Sequence, residues 1–238
     1  MGRIISIVNQ KGGVGKTTSA VNLTAALTDL GYRVLLWDFD PQANATSGLG
    51  VDKRKAKYDA YDVILGGIPA EQAIVKTKHG DVLPSSADLA GAAVELIDTE
   101  RRDLQLKKAL SSIQDRYDVI FIDCPPSLEL LTLNALCAAD DILVPVQCEY
   151  YALEGLSDLM TTLRSVKRKL NPRLEIFAVL LTMYDSRTNF SNQVAQEVRR
   201  HFPGKVLATD SPGHSGRHMV LHPGSTGRNR CRLSFVQS

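Results

Sequence analysis

The sequence lacks a long hydrophobic run. No stretch of its 238 residues approaches the roughly 18 to 20 consecutive apolar residues that a membrane-spanning helix needs. No leader-like segment precedes the first strand-like run, because Met1, Gly2 and Arg3 lead directly into it. We therefore expect neither a membrane span nor a secretory signal, and a cytoplasmic location.

Cysteine is scarce, and charge of either sign is nearly balanced. The four cysteines show no C-x-x-C spacing, which argues against a zinc site or a redox site of the usual kind. The net charge of +2 is too small to indicate nucleic-acid binding by itself. Residues 205–238 nevertheless carry a net +4, from five cations and Asp210. Such a basic segment suits phosphate contacts, and it is equally compatible with a solvated chain end.

Apolar runs of strand length alternate with helix-like segments along most of the chain. This pattern predicts an α/β fold, a mostly parallel sheet with helices on both faces. The predicted strands are residues 4–8, 33–37, 118–122, 141–146 and 174–181, and the predicted helices are residues 17–30, 104–115, 128–138, 153–170 and 192–202. Residues 49–98 have a weaker pattern, which we interpret as short helices and a hairpin around Gly80.

Residues 11–18, Lys-Gly-Gly-Val-Gly-Lys-Thr-Thr, stand between the first strand and the first helix. A glycine-rich turn that opens a helix directs backbone N–H groups and the positive end of the helix dipole at one point, which favours a phosphate. Lys16 is placed to pair with the phosphates, and the Thr17 hydroxyl to ligate Mg²⁺. The general phosphate-loop pattern has glycine where this chain has Gln10, and Lys11 follows. The alternative is a glycine-rich turn that only links strand to helix.

Carboxylates follow two of the predicted strands. Asp38 and Asp40 end the second strand two residues apart, so both can face the same side. One acidic group there can orient an attacking water while another supports Mg²⁺; the alternative is a plain turn at Asp40 with Asp38 as a cap. Asp123 ends a later buried strand, at the sheet edge where the phosphate loop should lie, and it can hold the Mg²⁺ shell. Residues 181–185 lack the lysine of a guanine-specific motif, which favours ATP over GTP.

Taken together, these motifs resemble those of ParA/Soj-type partition ATPases, in the deviant Walker A group that also contains the MinD division ATPases. The motifs that carry the resemblance are residues 11–18, 38–44, 122–127, 145–155 and 182–189. The resemblance implies a P-loop NTPase fold and ATP hydrolysis. It points to the Soj branch.

The resemblance also implies a homodimer that forms on ATP, in which Lys11 of each subunit crosses to the phosphates of the other. On the same basis Lys16 binds the phosphates, Thr17 and Asp123 hold Mg²⁺, and Asp40 supports hydrolysis. The implied catalytic residues are Lys11, Lys16 and Asp40. The implied nucleotide-binding residues are Lys11, Gly12, Gly13, Val14, Gly15, Lys16, Thr17, Thr18, Asp38 and Asp123.

Members of this family coat DNA without sequence preference and respond to a centromere-binding ParB-type partner, so the resemblance implies a nucleoid-associated protein. The candidate DNA contacts are Arg187, Arg199, Arg200 and Lys205, although surface arginines on a helix are often only a solvated face. One alternative is a MinD-like membrane-cycling ATPase, which needs a C-terminal amphipathic helix. Glycine and proline are too frequent after Gly213 for one, so we expect no membrane partner. A second alternative is a nucleotide-binding protein that has lost turnover.

The resemblance spans residues 1–205, which we interpret as the ATPase domain. Residues 206–238 form an atypical basic tail rich in glycine and proline, in which the family's last strand, adenine-side segment and final helix are not legible. We hypothesise that the reading frame or the gene is disrupted near Leu207, which sequencing of the coding DNA tests. The tail is therefore predicted to be disordered or altered.

Overall fold

The computed structural model of the chain describes residues 2–149, 152–208, 217–222 and 232–237. The strands are β1 (Arg3–Ile7), β2 (Val34–Asp38), β3 (Val75–Thr77), β4 (Gly80–Leu83), β5 (Val119–Asp123), β6 (Asp141–Gln147), β7 (Glu175–Thr182), β8 (Val206–Ala208), β9 (Arg217–His222) and β10 (Arg232–Gln237). The α-helices are α1 (Lys16–Asp29), α2 (Asn44–Gly48), α3 (Ala60–Ile64), α4 (Ala70–Ala73), α5 (Leu89–Glu95), α6 (Gln105–Ser111), α7 (Leu130–Ala138), α8 (Ala152–Lys169) and α9 (Asn189–His201). Single 3-10 turns span Leu96–Asp98 and Gln114–Arg116.

Eight of these strands form one sheet in the order β3-β4-β2-β5-β1-β6-β7-β8. Every neighbouring pair is parallel except the β3–β4 hairpin. All five residues of β5 are buried, as expected of a parallel strand that is covered on both faces. The predicted α/β fold with a mostly parallel sheet is confirmed.

Helices cover both faces of this sheet. Alternate β5 side chains point to opposite faces: Ile120 and Ile122 pack into one apolar cluster, Val119 and Phe121 into the other. Side chains of α3 to α9 contribute to the first cluster and those of α1 and α2 to the second. The edge formed by the strands' carboxyl ends lies between these two layers.

The five predicted strands are present, each within one residue of its predicted ends. The predicted short helices and hairpin of residues 49–98 are also present, as α3 to α5 and the β3–β4 pair. The sequence pattern did not reveal that β4 joins the main sheet, parallel to β2. Helix α9 begins three residues earlier than predicted because the Thr188 hydroxyl caps it, accepting a hydrogen bond from the Ser191 N–H at 3.2 Å.

Regular structure is also present in the described part of residues 206–238. Strand β8 pairs in parallel with β7, with Val206 opposite Val179. Strands β9 and β10 form an antiparallel pair. The short length of β8 explains why no periodicity marked it. Residues 209–216 and 223–231 lie outside the described residues, and the domain boundary at 205 and the disruption near Leu207 stay predictions. Within the described residues, no helix is both long and apolar enough to cross a membrane.

Candidate nucleotide-binding site

The site is built at the carboxyl edge of the three central strands β1, β2 and β5. In the parallel register, Asp123 at the end of β5 lies opposite Ile7 of β1 on one side and Asp38 of β2 on the other. The chain leaves β1 into residues 8–15 and then enters α1. Crevices at this edge of a parallel sheet are where such folds bind ligands.

The phosphate loop has the backbone that a close approach to an anion requires. Gly13 and Gly15 have positive φ angles of 73° and 89°. Gly15 is the N-cap of α1, so it supplies no side chain to cap the helix, and the first turn contains no acidic residue. The N–H groups of that turn therefore point, without a side-chain cap, at the space in front of the loop, where a phosphate is favoured.

Two residues to which the sequence motifs assign no role, Asn9 and Thr182, hold this loop in place. The Asn9 side chain accepts a hydrogen bond from the Lys11 N–H at 3.0 Å and donates one to the Pro145 carbonyl at 2.7 Å. The Thr182 hydroxyl donates to the Val14 carbonyl at 2.8 Å. Both residues lie at the carboxyl edge, after β1 and at the end of β7, which is the signal that could have identified them.

Lys16 lies at the centre of the site and is only 6% exposed. Its ammonium donates a hydrogen bond to the Lys11 carbonyl at 2.9 Å. Burial lowers the pKa of Lys16, and the negative charges of Asp123 and Asp40 act in the opposite direction. A phosphate beside this ammonium would add negative charge and stabilise its protonated form.

Asp123 is a fully buried carboxylate at the end of β5. Neither of its oxygens accepts a hydrogen bond from any residue that the structure describes, although the Thr17 hydroxyl is close enough to lower its pKa. Burial and the nearby Asp38 carboxylate raise the pKa of Asp123 to about 8. An unpartnered carboxylate beside a threonine hydroxyl matches the oxygen donors that Mg²⁺ prefers, so these two residues fit that ion.

Asp38 and Asp40 differ in environment. Asp38 is fully buried and accepts hydrogen bonds from the Thr46 N–H at 2.7 Å and the Thr46 hydroxyl at 2.6 Å. Burial raises the pKa of Asp38 to about 6. Asp40 is 7% exposed, and its carboxylate accepts the Gln42 N–H at 2.9 Å and acts electrostatically on Lys16 and Asp123. The structure thus brings Lys16, Asp40 and Asp123 together, with Asp38 behind them.

Lys11, the second lysine of the phosphate loop, forms an ion pair with Glu149 of its own chain. Both side chains are about one-third exposed, at 34% and 37%. Glu149 follows β6 at the same sheet edge, within the motif of residues 145–155, and the sequence pattern gave it no separate role. In this single chain the Lys11 ammonium is thus held beside the site by an acidic neighbour.

The four candidate DNA contacts lie in three parts of the chain: the β7–α9 loop, the last turn of α9 and the residues just before β8. Arg187, in the β7–α9 loop, pairs with Asp185 at 2.8 Å and is 87% exposed. Arg199 and Arg200 lie in the last turn of α9, and Arg200 approaches Glu197 at 4.0 Å. The Lys205 ammonium donates to the Ile176 carbonyl of β7 at 2.7 Å. Of these side chains, those of Arg187, Arg199 and Arg200 are exposed and that of Lys205 is half-buried.

This strand, glycine loop and helix, with Lys16 and two carboxylates at the carboxyl edge of a parallel sheet, define a P-loop NTPase fold. The family profile described as an AAA domain matches residues 2–176. The chain is 49% identical to the sporulation initiation inhibitor protein Soj of Bacillus subtilis, over 95% of this chain and 94% of that protein. It is 52% identical to the chromosome partitioning protein ParA of Caulobacter vibrioides, over 86% of this chain and 78% of that one. The chain therefore belongs to the ParA/Soj family of partitioning ATPases.

Solved structures share this fold. A cobyrinic acid a,c-diamide synthase from Mycobacterium smegmatis, described with bound ADP and magnesium, is 43% identical, with a TM-score of 0.81 over 85% of this chain and 83% of that one. A plasmid partition protein from Borrelia burgdorferi is 29% identical, with a TM-score of 0.75 over 89% of this chain and 90% of that one. The similarity to the Bacillus protein covers 95% of this chain and so extends into residues 206–238.

Proposed function

We propose that the protein is an ATP-hydrolysing partition ATPase that binds ATP with Mg²⁺ at this edge of the sheet. One observation carries the proposal: Lys16 and two carboxylates, Asp40 and Asp123, gather at the uncapped start of α1. Family membership adds support, because the curated relatives described above are named for chromosome partitioning or as Soj.

In this proposal the chain's own groups act mainly by binding the phosphates and by orienting the attacking water. The N–H groups that begin α1 and the Lys16 ammonium bind the phosphates, and burial of Lys16 strengthens its electrostatic effect. Thr17 and Asp123 would hold Mg²⁺, which supplies positive charge that neutralises the phosphate oxygens. The Asp40 carboxylate orients the attacking water and accepts its proton at an oxygen atom.

In this proposal the protein forms a homodimer on ATP, and Lys11 of each subunit contacts the phosphates that the other subunit binds. To reach the partner's phosphates, its ammonium must leave Glu149, with which it pairs in the single chain. An ion pair between partly exposed side chains contributes only about 0 to 1 kcal/mol, so bound phosphates can compete for Lys11. Each of the two sites in the dimer would then contain Lys16 of its own chain and Lys11 of the other chain.

The ATP-bound dimer is proposed to bind DNA without sequence preference, through phosphate contacts from Arg187, Arg199, Arg200 and Lys205. A ParB-type partner would stimulate hydrolysis and release the dimer, which drives segregation of a chromosome or plasmid. In a cell the protein would then lie on the nucleoid, in the cytoplasm. Three of the four side chains are exposed, which supports contact with a large anion.

The test is to measure ATP binding, ATP hydrolysis and DNA co-sedimentation for the full chain and two variants. Lys16→Ala should lose nucleotide binding, and Asp40→Ala should keep ATP and DNA binding but stop turnover. Lys78→Ala, an exposed lysine in the β3–β4 hairpin, is the matched control and should behave as the parent. A parent chain that neither binds ATP nor sediments with DNA would refute the proposal.

A further inference from the structure

The Asp38 carboxylate holds both ends of the loop that carries Asp40. Its Oδ1 accepts the Asp40 N–H at 3.3 Å, where the chain leaves β2. Its Oδ2 accepts the Thr46 N–H at 2.7 Å and the Thr46 hydroxyl at 2.6 Å, in the first turns of α2. One buried side chain thus fixes the start and the end of a seven-residue segment, residues 40–46.

The Thr46 hydroxyl also ties this loop to a neighbouring strand. It accepts a hydrogen bond from the Ser85 N–H at 3.0 Å, just after the end of β4. Asp38, Thr46 and Ser85 are all fully buried. The hydroxyl therefore donates to Asp38 and accepts from Ser85 in an environment where no solvent can replace either bond, and its loss would leave buried polar groups unpaired.

The backbone between the two anchored ends is strained. Ala43 adopts a φ of 54°, in the left-handed region that costs a non-glycine residue about 1 to 3 kcal/mol. Its N–H donates to the Asp40 carbonyl at 2.9 Å, while the Asp40 carboxylate accepts the Gln42 N–H. Such a turn persists only where its surroundings hold it, so the Asp40 position depends on the anchors at Asp38 and Thr46.

We propose that Thr46 is a positioning residue for ATP hydrolysis, whose hydroxyl, clamped between Asp38 and the Ser85 N–H, sets where the Asp40 carboxylate stands. The inference rests on the proposed function, since it assigns the clamp to the hydrolytic step. Thr46 acts through Asp38 and the loop of residues 40–46, whereas the phosphate-binding groups lie on a separate segment, the phosphate loop and the start of α1. Its loss should therefore affect turnover and leave nucleotide binding intact.

Thr46→Val keeps the side chain's shape and removes the hydroxyl. We expect kcat for ATP to fall about 10- to 100-fold, the scale that a small misplacement of a catalytic group produces, while KM and ADP affinity stay within about twofold. Thr46→Ser restores the hydroxyl and should recover most of kcat. Thr24→Val is the matched control, because Thr24 is also fully buried and its hydroxyl donates to the Ala20 carbonyl within α1.

The outcomes separate this inference from the proposed function. A parent chain without ATPase activity refutes the proposed function, whereas an active parent with full kcat in Thr46→Val overturns the clamp alone. Equal losses of kcat and ADP affinity in Thr46→Val, or a comparable loss in Thr24→Val, would show a general structural role and also overturn it. Thr46→Ala, which also removes the hydroxyl but places no second buried methyl group at the clamp, gives a second test by the same kcat-to-KM comparison if Thr46→Val does not fold.

Discussion

Asp38 and Asp123 stand opposite each other on the neighbouring parallel strands β2 and β5, and both side chains are fully buried. They differ in what holds them. Asp38 accepts hydrogen bonds from Thr46 and Asp40, whereas the oxygens of Asp123 accept none from the described residues. The Asp38 carboxylate therefore shapes the loop, whereas the Asp123 carboxylate remains available to a cation.

This pairing predicts how stability depends on pH. An unfolded aspartate loses its proton near 3.8, while burial and Asp38 raise the pKa of folded Asp123 to about 8. Between these values the folded chain holds the additional proton, so its free energy of unfolding falls as pH rises, by at most about 1.4 kcal/mol per pH unit. In Asp123→Asn this contribution is gone, and the decline between about pH 5 and about pH 8 should be shallower.

Urea unfolding without Mg²⁺ or nucleotide checks this pH prediction. Asp98→Asn, at an exposed position, is the control and should keep the parent's slope. Equal slopes for the parent and Asp123→Asn would contradict the proposed protonation of Asp123.

The Lys11–Glu149 pair predicts a variant that dimerises more readily. Glu149→Gln removes the negative charge that holds Lys11 in its own chain. A partly exposed pair contributes at most about 1 kcal/mol, and formation of the ATP-dependent dimer releases one such pair in each subunit, so its dissociation constant should fall by up to about 30-fold. Sedimentation with a non-hydrolysed ATP analogue measures this, with Glu175→Gln, which breaks the Lys167–Glu175 pair, as control. A weaker dimer in Glu149→Gln would show that Glu149 serves the dimer directly.

Alanine substitution should have different effects on ATP binding at Gly15, which ends the phosphate loop, and at Gly155, which lies in α8. Gly15 has a φ of 89°, and a Cβ there would meet the Thr182 side chain at 3.4 Å. Gly15→Ala should thus strain the loop by about 1 to 2 kcal/mol and weaken ATP binding. Gly155→Ala, in α8 with open space around the added carbon, should leave ATP binding unchanged and stabilise the helix by up to about 1 kcal/mol. Calorimetric titration with ATP tests both; unaltered affinity in Gly15→Ala would contradict the loop geometry.

The sequence alone predicted the central strands and the phosphate loop, because both are local patterns. Apolar runs of strand length marked β1, β2 and β5, and the rule that ligands bind at the carboxyl ends of parallel strands placed Asp123 beside Lys16. The sequence could not predict contacts between residues far apart in the chain. The Thr46 hydroxyl meets the Ser85 N–H 39 positions later, and Thr182 reaches Val14 across 168 positions. No local periodicity records such pairs, so the side chains that hold the site were missed.

The Arg187–Asp185 pair predicts how DNA affinity responds to salt. Each phosphate contact contributes a slope of roughly 0.9 in the plot of log affinity against log salt concentration, so Arg187→Ala should flatten that plot by about one unit for each subunit of the dimer that contacts DNA. Asp185 lies directly on Arg187, and the ion pair lowers the pKa of Asp185 to about 2, which keeps it charged at neutral pH. Asp185→Asn should therefore strengthen DNA binding, because Arg187 no longer has to break an ion pair with a carboxylate before it contacts a phosphate. Arg33→Ala, which removes an exposed arginine paired with Asp118 at the opposite end of β2, is the control. An unchanged slope in Arg187→Ala would remove this arginine from the proposed DNA surface.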